Sequence, residues 1–277
     1  MSGFGTVAVA GLGLIGGSVA RDLAAAGVRV LGWDRAAAAV DAALREGVVS
    51  AALGPGFEGV EEADVLVLAV PVGVAAAVLE AAAPRLGGAR LVTDTGSTKA
   101  SIVAAAERLG IDRFVGAHPF AGDHRSGWEA SRTGLFQGAT VYLCPTARSS
   151  GAALSLAREL WSALGGIPAE LPAAEHDRRL AWTSHLPQVV SAALAATVAA
   201  EGFGRADLGR GGRDVTRLAA SSASLWADIL ADNRAAVAGA LAAMEARLRR
   251  IREAVEAGET GAIRASAFPP AAWLGEP

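Results

Sequence analysis

Near its start the chain carries Val7-Ala8-Val9-Ala10-Gly11-Leu12-Gly13-Leu14-Ile15-Gly16-Gly17-Ser18, and few stretches of this length restrict a fold so strongly. Four small apolar residues form a buried strand, three glycines follow at the spacing GxGxxG, and helical spacing takes over. Gly11 permits a tight turn, Gly13 lets backbone approach a pyrophosphate with no side chain in the way, and Gly16 lets the new helix lie close on its strand. Leu12, Leu14 and Ile15 fill the same turn and count with the glycines as candidate binding residues, because the N–H groups at the helix start face the anion.

The residues that follow complete the unit. Val19, Leu23 and Ala26 continue the helix, Gly27 stops it, and Val28-Arg29-Val30-Leu31-Gly32-Trp33 reads as a second strand. Asp34 stands at its end, about 20 residues after the first glycine, where an acid accepts from the adenosine ribose hydroxyls. A carboxylate there repels a 2′-phosphate and favours NAD over NADP, a preference that Arg35 tempers.

The rest of the first half alternates helix and strand. Strands are predicted at Asp64–Val70, Arg90–Asp94, Phe114–Ala117 and Thr140–Leu143, with a short last one near Ala169-Glu170-Leu171. Their unbroken apolar runs fit a parallel sheet covered on both faces. From Ala174 the strands stop and everything to about Gly258 has helical spacing, so the chain reads as a doubly wound α/β domain over residues 1–172 and an all-helical domain over 173–277. The tail after Thr260 is expected to be loosely ordered. Trp226, Leu230, Asn233, Val237, Leu241, Met244, Leu248, Ile251 and Val255 step by four and three, predicting one long helix with a sustained apolar seam, inside the domain or shared between two subunits as a homodimer.

Composition excludes several classes. A net charge of −3 speaks against a nucleic-acid footprint, and no apolar run approaches the ~20 residues of a membrane span. No secretion signal is visible, and the single cysteine, Cys144, rules out an internal disulfide, which suits a reducing cytoplasm. No metal is expected.

In an open parallel sheet ligands bind beyond the carboxyl ends of the strands. Val70 and Pro71, closing one strand, are therefore placed on the cofactor side. After the next strand comes Asp94-Thr95-Gly96-Ser97-Thr98-Lys99, whose glycine, hydroxyls and ammonium can meet an anion, with a helix-capping role for Ser97 as the alternative. His118, in Gly116-Ala117-His118-Pro119-Phe120-Ala121-Gly122, sits at a strand end where a neutral imidazole suits a general base. The helical half offers His185 and Gln188 on one helix face, with Pro187 predicted to kink that helix, and Arg213 and Arg217 as candidate carboxylate clamps or partners of Asp207 and Asp214.

Taken together, these stretches resemble the prephenate and arogenate dehydrogenase family of tyrosine biosynthesis, and the likeness runs through nearly the whole chain. The matching segments are Gly11–Ser18, Asp94–Lys99, Gly116–Gly122, Ser184-His185-Leu186-Pro187 and Arg213-Asp214-Val215-Thr216-Arg217. The resemblance implies a Rossmann-like N-terminal domain, a helical domain that dimerises, and oxidative decarboxylation of prephenate or arogenate with NAD. It further implies that His118 accepts a hydrogen bond from the ring hydroxyl, Ser97 orients His118 and substrate, Arg217 grips a substrate carboxylate, and His185 lies near cofactor and substrate. Two positions depart from the family pattern. Gln188 stands where many members have histidine, and Asp123-His124-Arg125 replaces a small or polar residue, an acid and a lysine. Both Gln188 and Asp123 are expected in the part of the pocket that separates a keto from an amino side chain. A related alternative, a β-hydroxyacid dehydrogenase, would want a catalytic lysine in the helical half, but Lys99 is the only lysine in the chain. A catalytically silent NAD-binding sensor is the remaining reading.

Overall fold

The structure is a computed structural model of the whole chain, and it describes residues 3–122, 125–269 and 273. In chain order the elements are β1 (Thr6–Ala10), α1 (Leu14–Ala25), β2 (Arg29–Trp33), α2 (Ala37–Arg45), β3 (Ala51–Ala52), β4 (Val65–Leu68), α3 (Val72–Ala82), β5 (Leu91–Asp94), α4 (Ala100–Arg108), β6 (Phe114–Pro119), β7 (Thr140–Pro145), α5 (Gly151–Ala163), β8 (Ile167–Glu170) and α6 (Ala173–Leu180). Helices α7 (Leu186–Ala200), α8 (Arg210–Val215), α9 (Ala223–Asp232), α10 (Arg234–Ala257) and α11 (Thr260–Ala267) complete the chain. Two compact units result, one of residues 1–179 with 220–232, the other of residues 180–219 with 233–277.

The first unit is built on one sheet of eight strands in the order β3-β2-β1-β4-β5-β6-β7-β8. Alternate residues of each central strand feed opposite faces, which is why these strands are apolar throughout. Val7 and Val9 of β1 and Val65 and Val67 of β4 pack with Val19, Leu23, Leu160 and Trp161, whereas Ala8, Ala10, Leu66 and Leu68 pack with Leu79, Ala82, Ile102 and Val103. The chain leaves β1 toward β2 and β3, then returns to the other side at β4, so the order reverses between β1 and β4. That reversal opens a crevice at the carboxyl ends of the two strands.

The predicted parallel sheet is mixed at one place. β7 runs antiparallel to β6, with His118 opposite Tyr142 and Ala117 opposite Leu143. A parallel crossover usually runs through a helix, and among the described residues of 120–139 there is only the short 3₁₀ turn Trp128–Ala130, which goes with an antiparallel return.

Two further sequence expectations are corrected. The apolar stripe from Trp226 to Val255 is two helices, broken after Asp232, whose carboxylate is taken by the hydroxyls of Thr98 and Ser101. The segment after Thr260 is ordered through α11: Gly258, at φ +68°, reverses the chain, and the Arg247 guanidinium donates to the Ser266 carbonyl at 3.2 Å. Pro187 lies inside a helix that runs unbroken from the π turn Ala181–His185 through α7. The wider turn absorbs the missing N–H of the proline. Among the described residues no helix is long and apolar enough to cross a membrane.

Candidate active site

Five strand ends of the sheet unit carry the predicted site residues to one edge. At β1, Gly11 adopts φ +96° and donates to the Trp33 carbonyl at 2.7 Å. A methyl on Gly11 would stand 2.7 Å from the carbonyl carbon of Ala69, and one on Gly16 equally close to the Ala69 side chain, so both glycines are required by packing. Gly13 differs: a methyl there would meet nothing within 4 Å. Gly13 is also the residue before α1, and no side chain caps that helix. An open backbone position in front of uncapped N–H groups fits a bound pyrophosphate. Leu12 is buried, while Leu14 and Ile15 are half-buried on the first turn. Asp34 is fixed beside this turn, accepting from the Leu12 N–H at 2.7 Å and the Ala36 N–H at 2.8 Å. Arg35 is exposed. Val70 packs against the Gly11 turn across the β1–β4 reversal, and Pro71 begins α3.

The Asp94–Lys99 turn is organised differently from the expectation that Lys99 meets an anion. Lys99 is fully buried and its ammonium is bonded to the Asp94 carboxylate. Asp94 also accepts from the Gly96 N–H at 2.8 Å and from the Ala117 N–H at 3.0 Å, so the pair ties β5, β6 and α4 together. Ser97 is half-buried, caps no helix, and makes no hydrogen bond among the described residues.

His118 is the penultimate residue of β6, nearly buried at 8% exposure. Its Nδ1 lies 2.8 Å from Nε2 of His176, and His176 Nδ1 lies 2.8 Å from Oδ1 of Asp177. Asp177 accepts from the N–H groups of Lys99 at 2.8 Å and Ala100 at 2.9 Å, the start of α4. Burial pushes the Asp177 carboxyl up, but hydrogen bonds from His176, Ala100 and Lys99 outweigh it and hold the group below the usual carboxylate range. Burial lowers the pKa of His176, keeping its ring neutral despite the neighbouring carboxylate. Cys144 is buried and its thiol is pushed up to about 12 by desolvation, an inert filler of the sheet core. Asp123 and His124 lie outside the described residues.

In the helical unit His185 closes the π turn, buried, with its Nδ1 accepting from the Asn233 amide at 3.2 Å. Gln188, also buried, donates to the Leu218 carbonyl at 2.8 Å and so holds the 3₁₀ turn that starts at Arg217. Arg213 and Arg217 are both exposed. The Arg213 guanidinium donates to the Leu208 carbonyl, whereas Arg217 has no hydrogen bond or ion pair among the described residues.

A nucleotide cradle, a histidine on the same sheet edge and a second helical unit match known families over almost the whole chain. Residues 19–168 match the family model described as prephenate dehydrogenase, nucleotide-binding domain, and residues 172–266 match prephenate dehydrogenase, dimerization domain. The chain belongs to the prephenate dehydrogenase family. Its similarity to the prephenate dehydrogenase of Bacillus subtilis is 34% identity over 247 residues, 83% of this chain and 64% of that protein. With the cyclohexadienyl dehydrogenase of Zymomonas mobilis it shares 34% identity over 263 residues, 92% of this chain and 90% of the relative. The chain thus spans nearly all of the second relative but only 64% of the length of the first. The crystal structure of prephenate dehydrogenase from A. aeolicus, in complex with hydroxyphenyl propionate and NAD+, superposes with a TM-score of 0.85 at 30% identity, covering 94% of each chain.

For this prephenate dehydrogenase family member, inspection of strand ends alone missed His176 and Asp177, which lie on α6 and reach the edge from outside the sheet. The available signal was a His-Asp pair in a chain with four histidines, placed where the period changes from strand to helix.

Proposed function

We propose that this chain catalyses the NAD-dependent oxidative decarboxylation of prephenate to 4-hydroxyphenylpyruvate, with His118 as the base. The observation that carries the reading is His118 at the carboxyl end of β6, on the sheet edge that also carries the Gly11–Gly16 turn, in a chain of this family. The residues fit NAD: Gly13 leaves room for the pyrophosphate at the start of α1, and Asp34 offers a carboxylate to the ribose. That carboxylate disfavours a 2′-phosphate and supports NAD over NADP. Bound there, NAD accepts hydrogen and an electron pair from the ring carbon that bears the hydroxyl.

His118 takes the hydroxyl proton as that carbon is oxidised. The bond to the ring carboxylate then breaks, its electron pair makes the ring aromatic, carbon dioxide leaves, and the phenolic oxygen recovers a proton. Aromatisation supplies the driving force, so the protein chiefly positions the groups. Ser97, at the β5–α4 turn, offers a hydroxyl to the substrate, and Arg217 a guanidinium to a carboxylate, a bidentate match. His185, Gln188, Arg213 and Asp123 are assigned to the substrate's surroundings on the family resemblance.

A homodimer through the helical unit belongs to the same proposal. It is supported by the match of residues 172–266 to a dimerization domain and by α7, whose apolar residues include the exposed Leu194. A cytoplasmic location fits the single, buried Cys144. The test is reduction of NAD and, separately, NADP by purified protein with prephenate and with arogenate. Rapid NADH formation with prephenate is expected. Activity with arogenate alone would shift the substrate to the amino compound, and silence with both would overturn the dehydrogenase reading in favour of a binding protein.

A further inference from the structure

We infer that His176, held by Asp177, is a positioning residue that fixes which ring nitrogen of His118 accepts a proton, resting on the proposed role of His118 as base. The chain of donors and acceptors has one consistent solution. The Asp177 carboxylate accepts only, so His176 must donate from Nδ1 across the 2.8 Å contact. A neutral His176 then presents a lone pair at Nε2. His118 meets that lone pair with its Nδ1 at 2.8 Å and must donate, which leaves Nε2 of His118 as the accepting nitrogen.

The geometry around the relay keeps it in this state. His176 is fully buried, and its ring is flanked edge-on by Tyr142 at 5.5 Å and by His118 at 5.1 Å between centroids. Asp177 cannot turn away, because the N–H groups of Lys99 and Ala100 hold both of its oxygens. The charged pair nearby, Lys99 with Asp94, is closed on itself. The anchor is thus the amino end of α4, where a carboxylate is favoured by the helix dipole, and α6 carries that anchor to the end of β6. When His118 takes a proton, the same hydrogen bond stabilises the imidazolium and holds the ring plane.

The test uses the full-length protein and has two arms. The first reads tautomers directly by ¹⁵N NMR of imidazole nitrogens at about pH 8, above the ordinary histidine pKa of ~6.5. In the parent, His118 should show a protonated Nδ1 and a bare Nε2; in His176→Leu the two tautomers should mix. The second arm compares His176→Leu with His176→Gln, whose amide oxygen can restore an acceptor. kcat with prephenate should fall by about 10²-fold in the leucine variant, within the range for general-base catalysis, and recover about tenfold in the glutamine variant. KM and the dissociation constant for NADH should stay within about twofold in both, a split that a merely structural defect would not produce. A bare Nδ1 on parental His118, or a folded leucine variant with parental kcat, overturns the inference. Because the NMR arm needs no turnover, it stands even if the parent oxidises neither substrate, and failure of the proposed function is thereby told apart from failure of the relay.

Discussion

Gly13 and Gly11 sit two residues apart in the same turn, and the structure assigns opposite consequences to the same added methyl. Gly13 has φ −77° and ψ −159°, a conformation open to any residue, and its methyl would meet no atom within 4 Å. Gly13→Ala should therefore cost only about 0.5–1 kcal/mol, the margin by which alanine trails glycine before a helix, a shift of about 1–4 °C in Tm. The methyl points instead into space argued to hold a pyrophosphate. Displacing one charge-assisted hydrogen bond there costs about 1.5–3 kcal/mol, a rise of about 10- to 150-fold in the Kd for NADH. Gly11→Ala reverses the pattern. Its φ of +96° strains an alanine by about 1–3 kcal/mol, and the clash with the Ala69 backbone adds a comparable amount, so unfolding should come several degrees earlier. Thermal unfolding without ligand and fluorescence titration with NADH separate the two. A Gly13→Ala protein that binds NADH as tightly as the parent refutes the placement of the pyrophosphate, and one that loses as many degrees as Gly11→Ala refutes the reading of open space.

Removing Lys99 as Lys99→Met strands the buried Asp94 carboxylate on two backbone N–H groups, and urea unfolding should show a loss of about 3–5 kcal/mol; less than 1 kcal/mol would mean those N–H groups suffice alone. Arg217→Ala should raise KM for prephenate about 10- to 150-fold by deleting a charge-assisted bond of about 1.5–3 kcal/mol, with kcat little changed; an unaltered KM would move the clamp to Arg213. Stability should also depend on mild acid. Because burial lowers the pKa of His176 in the native state, the unfolded chain binds the extra proton first, so stability is full above about pH 6.5 and declines as pH falls below it. His176→Gln should flatten that decline in the pH dependence of Tm, and an identical slope in both proteins would assign it to another group.

Much of the sheet unit was legible because its local and long-range requirements coincide. The three glycines, Asp34 and the apolar runs each satisfy a constraint that shows in single-residue spacing, and the doubly covered sheet follows from them. What escaped depends on distant partners. Lys99 reads as an anion ligand until Asp94 is seen to claim its ammonium, and no spacing distinguishes an ammonium that faces solvent from one aimed back at its own strand. The stripe from Trp226 to Val255 keeps steps of three and four through a break at Asn233, next to which Asp232 bonds Thr98 and Ser101 at the start of α4, over a hundred positions earlier in the chain. His176 is the sharpest case: its neighbours in sequence are polar and charged, and only the fold reveals that the ring is fully buried against His118.

These misreadings share a physical cause that also bears on where a substrate's charges can go. Helices α1 and α4 both begin at the edge that carries His118, and either amino end could attract an anion. α4 is already satisfied from within, since Asp177 takes the N–H groups of Lys99 and Ala100 while Asp232 takes the hydroxyls of Thr98 and Ser101. α1 has neither an acidic residue in its first turn nor a side-chain cap. Of these two helix ends only that of α1 is therefore open to the nucleotide's phosphates. The substrate's carboxylates cannot turn to the chain's one lysine, whose ammonium is committed to Asp94. The proposal assigns the compensation of a dicarboxylate to arginine, and of the two in the family's motif Arg213 already spends part of its guanidinium on the Leu208 carbonyl. Arg217 follows α8 after Thr216 and starts the turn that Gln188 secures, which gives a rotamer-rich side chain a fixed base and reduces the backbone freedom it must lose on binding.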